Sequence, residues 1–277
     1  MQTLLNGVTS SKSLAHKIRI TLNQIFKQAI ADRLIIFKQA IADRLITFNP
    51  VMSCKVIAPD NPKREFLNPI QRDFMLSIIN NHRFYPIAFT ILYSGMRMSE
   101  ALALLWKDID YENGIIRVTK ATEYEHSKPK PKEPKTKRGF REIPMPEALS
   151  NYLKQYQKKT PKSLYIFPGH AGGPMGQTEI LRTWKKAQKK VNNWFEKNPK
   201  MQEHKFNLTF RLLRHTYCTG LYDAGIDEVS AAEIMGHDIS IMREVYTHIQ
   251  DKRKKKTAIK LESLYNESNI IDLQESK

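Results

Sequence analysis

Cysteine is scarce. Cys54 and Cys218 are the only two in 277 residues, far apart and outside any Cys-x-x-Cys or Cys/His ligand spacing. That excludes a disulfide framework and a zinc site built on paired cysteines, and it fits a reducing cytoplasm. Long apolar runs are missing too. None approaches the ~20 residues that span a bilayer, and Met1–Ser13 lacks the charged and apolar zones of an export signal, so the expectation is a cytoplasmic protein without a membrane partner. There is no Gly-rich phosphate loop, no paired-carboxylate metal cluster and no His-Glu-x-x-His stretch. With no metal and no cofactor expected, any phosphate chemistry would fall to cations and a side-chain nucleophile. Acidic residues are in deficit as well: 28 Asp and Glu stand against 45 Lys and Arg, a formal charge of +17. A large anionic partner follows, and nucleic acid fits best because neutralising phosphates releases counterions and supplies affinity before any base is read.

What is present begins with an internal repeat. Ile25–Ile35 reads IFKQAIADRLI and Ile36–Ile46 repeats it unchanged. Eleven residues is close to three helical turns, so one amphipathic helix over roughly Ser13–Thr47 can carry both copies on one face. From Asn49 to Pro69 the periodicity stops and Pro50, Pro59, Pro62 and Pro69 appear among charged residues, which is linker composition. The expected organisation is a helical segment over 1–49, a linker over 50–63 and a larger domain over 64–277, with a tail from about 251. In that domain Asn68-Pro69 starts a helix running to about Asn80. Pro86 starts another ending at Ser94-Gly95, and Ser99–Leu105 reads as a third. Asp108–Thr119 carries Asn113-Gly114 between extended runs, a hairpin signal, and Arg141–Met145 reads as a third strand. Lys128–Arg138, rich in Lys and Pro, reads as a solvated loop. Further helices are expected near Pro146–Lys158, Thr178–Asn198, Leu212–Ala224, Glu228–Met235 and Ile239–Thr247.

Several residues have chemistry to offer, each weak alone. Arg97 follows the Ser94-Gly95 turn at a helix entrance, where backbone N–H groups and a guanidinium can face one phosphate; beside Glu100 it also reads as an ordinary surface pair. Arg211 and Arg214, three apart, can flank an anion or solvate a helix. His237 follows a helix-ending Met235-Gly236, and Tyr246 lies nine residues on.

Order and context give these residues a shared meaning. The blocks LYSGMRMSEAL, PKTKRGFREIPM, LTFRLLRHTYCTGL and IMGHDISIMREVYTHI follow one another, and over roughly Lys63–Asp251 the sequence resembles the tyrosine recombinase, or phage integrase, family of temperate phages and conjugative transposons. The resemblance implies an α+β, mostly α-helical catalytic fold with a small three-stranded antiparallel sheet, preceded by a helical remnant of a core-binding domain. It implies an enzyme, a site-specific DNA strand transferase that works through a 3′-phosphotyrosyl intermediate without metal or ATP. Position by position, Arg97 matches the first catalytic arginine, Arg214 the second, His237 the histidine of the Gly-His box and Tyr246 the nucleophile. Lys135 matches the hairpin lysine, with Lys137 the alternative. One position departs: the family usually has His three residues before the second arginine, where this chain has Arg211, which keeps the charge but cannot serve as a base.

The implied partner is double-stranded DNA, bound by a homo-tetramer whose protomers dock through the tail beyond 251; an accessory DNA-bending or excision factor belongs to the same reading. Two rivals use the same residues: a recombinase remnant that binds DNA but is catalytically impaired, and a type IB topoisomerase.

Overall fold

The computed structural model describes residues 12–31, 65–134, 139–160, 163–247 and 249–250, with Lys254 and Ala258 as isolated positions. Two compact units divide the chain, Met1–Arg64 and Glu65–Lys277. In the first, helix α1 spans Lys12–Ala31. Most of the repeat, with the linker and the tail, lies outside the described residues. No described helix is long and apolar enough to cross a membrane.

The second unit opens with α2 (Pro69–Ile79). Its capping box pairs the Asn68 side chain with the Gln71 amide and the Gln71 side chain with the Asn68 amide, so the expected start is met. Helix α3 (Tyr85–Ser94) is apolar almost all round, and Ile87–Leu92 are buried, which makes it the central helix of the unit. It ends at Gly95 in the left-handed region, and a short α4 (Met98–Ala101) follows. The expected helix over Ser99–Leu105 is thus shorter and earlier, because the chain turns through Leu104 and Leu105 into a 3₁₀ turn at Trp106–Asp108.

A three-stranded antiparallel sheet has the order β1 (Ile109–Asp110), β2 (Ile115–Val118), β5 (Arg141–Pro144). Ile116 pairs with Ile109 on one side and Ile143 on the other. Asp110 and Ile115 are partners, so the Asn113-Gly114 hairpin has a four-residue loop over 111–114 rather than a two-residue one. The Asp110 carboxylate closes it by accepting from the Asn113 amide at 3.0 Å and its side chain at 2.9 Å.

The expected loop over Lys128–Arg138 needs correction. Its first part is a strand, β4 (Lys128–Lys132), paired with β3 (Ala121–Glu125) as a separate two-stranded sheet. Proline lacks an N–H, so Pro129 and Pro131 fit β4 only where the missing donors would have pointed away from β3. The outer edge loses its donors and cannot readily recruit another strand.

Helices α5 (Glu147–Lys159), α6 (Gln177–Lys197), α7 (Phe210–Asp223) and α8 (Glu228–Met235) follow, with α9 over 239–247. On α6 Ile180, Thr183, Ala187, Val191 and Phe195 are buried at three- and four-residue steps, leaving the other face to cations. The main core runs from Leu67 to Leu213. A second, smaller cluster gathers Cys218, Ala231, Ala232, Met235, Met242 and Tyr246 from α7, α8 and α9.

Candidate active site

Two helix ends make the site. Helix α3 stops at Gly95 (φ 64°) and α8 at Gly236 (φ 60°), both in the left-handed conformation that glycine adopts without cost. A Cβ on Gly95 would meet the Tyr217 ring and, at 2.8 Å, the Met235 sulfur, so the close approach needs glycine for space as well. Helix C-termini expose carbonyls without intrahelical partners and carry partial negative charge, which draws cations.

Three guanidinium groups answer. Arg214, on α7 and 8% exposed, donates to the Gly95 carbonyl and, at 2.5 Å, to the Met235 carbonyl. Arg97, the N-cap residue of α4, donates through Nη2 to the Gly236 carbonyl at 2.8 Å. Arg141, on β5, donates through Nε to the Ile234 carbonyl at 2.8 Å. One carboxylate sits among them. Glu100 accepts from Arg97 Nη1 at 2.7 Å and the Arg97 amide at 2.8 Å, and from Arg141 at 2.7 and 3.1 Å. Three cations against one anion leave an excess suited to a phosphodiester, and Arg97, with 41% of its side chain exposed, presents that excess to solvent.

The electrostatics follow from burial. Burial alone would raise Glu100, but the Arg141 hydrogen bond and charge, with those of Arg97, hold it at about 2. Burial, Arg97 and Arg141 lower Arg214 to about 9, still a cation at neutral pH. His237 is lowered to about 4 by burial and then by Arg214, Arg97 and Arg141, so its imidazole is neutral at pH 7 and retains an acceptor nitrogen.

Arg97, Arg214 and His237, to which the family resemblance pointed, therefore converge. Tyr246 does not join them here. It lies in the second cluster, 6% exposed, with its hydroxyl donating to the Ile226 carbonyl at 3.1 Å and its ring edge-on to Tyr222. Burial raises its pKa, then Cys218, Asp227 and Glu228 raise it further. Arg211 is exposed on the first turn of α7, and its side chain makes no hydrogen bond or ion pair among the described residues. Lys135 and Lys137 lie outside the described residues.

Residues 73–253 match the model of the phage integrase family. The chain belongs to that family. The match spans all four motif blocks, so the resemblance seen in the sequence is borne out. A tyrosine recombinase XerC-like protein of Caldanaerobacter subterraneus subsp. tengcongensis is 26% identical over an alignment of 246 residues that covers 78% of this chain and 60% of that protein. The transposase from transposon Tn916 of Enterococcus faecalis is 28% identical over an alignment of 182 residues that covers 59% of this chain and 42% of its own length. The chain thus spans about half the length of these relatives. Among solved structures, the Tn1549 transposon integrase in complex with circular intermediate DNA superposes with a TM-score of 0.69 at 23% identity, covering 90% of this chain and 81% of that one. The same integrase in complex with transposon right end DNA gives 0.62 at 25% identity, covering 79% and 75%. The expected α+β catalytic fold is therefore present.

Of the residues gathered at this candidate site, Arg141 escaped the sequence reading, and Glu100 was read only as an ordinary surface partner of Arg97. The signal for Arg141 was there: period-two alternation puts it on the same face of β5 as fully buried Ile143, an unusual place for a cation. The pair has a measurable consequence. Both Glu100 and His237 have folded pKa values below their unfolded ones, so the unfolded chain binds more protons on acidification. Stability is expected to fall as pH drops from about 6.5 towards 4 through His237, and again from about 4.5 towards 2 through Glu100. Thermal melts across this range check it, and a His237→Asn variant whose melting temperature declines just as early as the wild type would contradict the assignment of the upper limb.

Proposed function

We propose that this chain is a site-specific DNA recombinase that cuts and rejoins double-stranded DNA through Tyr246. The observation that carries the reading is the convergence of Arg97, Arg214 and neutral His237 on two helix ends, with positive charge in excess and partly exposed. Preorganised donors of this kind stabilise charge that develops on a phosphoryl group without reorganising during the reaction. The Tyr246 oxygen attacks phosphorus while the bond to the 5′-oxygen breaks. The product is a 3′-phosphotyrosyl ester and a free 5′-hydroxyl. The leaving oxygen takes its proton from Lys135, or Lys137 two residues on, and His237 bonds a nonbridging oxygen or helps move the tyrosine proton. The ester conserves the energy of the broken bond, so a 5′-hydroxyl from another strand can reverse the step without ATP. Attack requires the Tyr246 hydroxyl to leave the Ile226 carbonyl. The segment beyond 251 is assigned to docking between protomers in a tetramer on DNA.

A nicked suicide duplex, from which the 5′-hydroxyl strand diffuses away, should trap a covalent adduct in the presence of EDTA. Binding without any adduct would favour the alternative that Arg211 suggests, a DNA-binding protein that does not complete strand exchange. Relaxation of supercoils by monomers without site preference would favour a type IB topoisomerase.

Exposed Arg182, Lys185, Lys186, Lys189 and Lys190 face away from the buried stripe of α6 and supply a surface for the DNA backbone. Replacing Lys185 and Lys189 with alanine is expected to weaken binding equally on all sequences and to flatten the dependence of log K on log salt by about 0.9 for each phosphate no longer neutralised. Titrations at several salt concentrations read this directly, and an unchanged slope would remove this face from the interface.

A further inference from the structure

The Arg141 side chain is buried, with 5% of it accessible. Its fork is committed inside the protein: Nη1 and Nη2 grip Glu100 and Nε holds the Ile234 carbonyl. Gly236 makes room for it, since a Cβ there would lie 3.0 Å from Arg141 Nη1. With three of its five N–H donors engaged inside the protein, this buried guanidinium holds its neighbours rather than presenting a fork to a substrate, and removing it would change what those neighbours can do. Glu100 is 6% exposed and has two cationic partners. With Arg141 gone, that buried carboxylate would have Arg97 alone, and their attraction in a poorly solvated site would draw Arg97 fully into the pair.

We propose that Arg141 is a positioning residue for DNA cleavage, which neutralises Glu100 so that Arg97 is oriented by that carboxylate without surrendering its charge to it. Through Ile234 the same side chain ties β5, the strand that follows the Lys135–Arg138 stretch, to the Gly236-His237 turn. The proposal rests on the recombinase reading for its effect on rate but not for its effect on the site's charge.

Three variants test it: Arg141→Met, Arg141→Lys and the double variant Glu100→Gln/Arg141→Met. Misplacing a clamp by about 1 Å costs on the order of 10²-fold, so Arg141→Met should slow adduct formation on the nicked duplex by about that factor, with DNA affinity little changed. The double variant should recover part of the loss, because no carboxylate then competes for Arg97. Arg141→Lys should fall between. A second readout does not depend on cleavage: the ring protons of His237 followed by NMR against pH. His237 faces Arg97 and Glu100 at α4, Arg141 on β5 and Arg214 on α7. Its titration should move to higher pH in Arg141→Met and partly return in the double variant. A double variant no faster than Arg141→Met overturns the proposal, and so does an unmoved His237 titration. If the wild type forms no adduct, the recombinase reading and the role in cleavage fail together, and the His237 titration then decides only whether Arg141 sets the charge of the site.

Discussion

Replacing Arg214 with alanine is expected to abolish most of the strand-cleavage activity and a large part of the stability together. Arg214 spans from α7 to the ends of α3 and α8, where its two terminal nitrogens satisfy the Gly95 and Met235 carbonyls. Leaving a buried acceptor unpaired costs about 1–3 kcal/mol, and here two are left, beside the void of a lost guanidinium. A loss of several kcal/mol in a unit of this size lowers the melting temperature by roughly 10 °C. The chemical loss is larger. Removing one preorganised donor from a charged transition state costs about 10²–10³-fold, and Arg214 is a full cation whose absence also loosens the Gly236-His237 turn. Arg214→Lys separates the two effects: it keeps a charge but cannot reach both carbonyls with one planar fork, so it should recover stability less well than charge. Adduct rates on nicked DNA and thermal melts of the three proteins are the measurements. Wild-type adduct formation by a folded Arg214→Ala protein would take Arg214 out of the site.

This double duty explains which parts of the site were legible in the sequence. Local chemistry could be read directly: Asn68-Pro69 before α2, Gly95 after α3 and Gly236 after α8 announce their helix ends, and α8 has the expected bounds. Helix α7 starts two residues early because Thr209 caps it, its side chain accepting from the Leu212 amide at 2.9 Å. That shift matters, since it places Arg211 on the exposed first turn and leaves Arg214 facing inward. Strand β4 was hidden by its prolines, which look like loop composition until the register shows that they occupy alternate positions on an edge. Glu100 and Arg141 were hidden for a different reason. They are 41 residues apart, and nothing in either local pattern names the other as its partner. The family likeness pointed to residues proposed to meet the substrate, whereas this pair is proposed to act on those residues.

Changing Tyr246 to phenylalanine is expected to have the most one-sided effect of all. The ring stays in the second cluster, packed with Met235 and Met242 and edge-on to Tyr222, so the core volume is kept. What disappears is one hydroxyl and its bond to the Ile226 carbonyl, about 0.5–1.5 kcal/mol. Covalent adduct formation should nevertheless vanish, because in the proposed mechanism the hydroxyl oxygen is the atom that attacks phosphorus. In this conformation that oxygen is held unreactive twice over: it donates its proton to a carbonyl, and burial with Cys218, Asp227 and Glu228 disfavours its ionisation. In the proposed mechanism activation therefore brings the tyrosine hydroxyl away from Ile226 to the arginines. The Tyr246→Phe protein should bind DNA as tightly as the wild type and melt within a few degrees of it, yet yield no adduct on a nicked duplex at any pH or protein concentration. Persistent adduct in that variant would assign the nucleophile to another residue, whereas loss of DNA binding along with it would mean that the second cluster helps to form the DNA-binding surface.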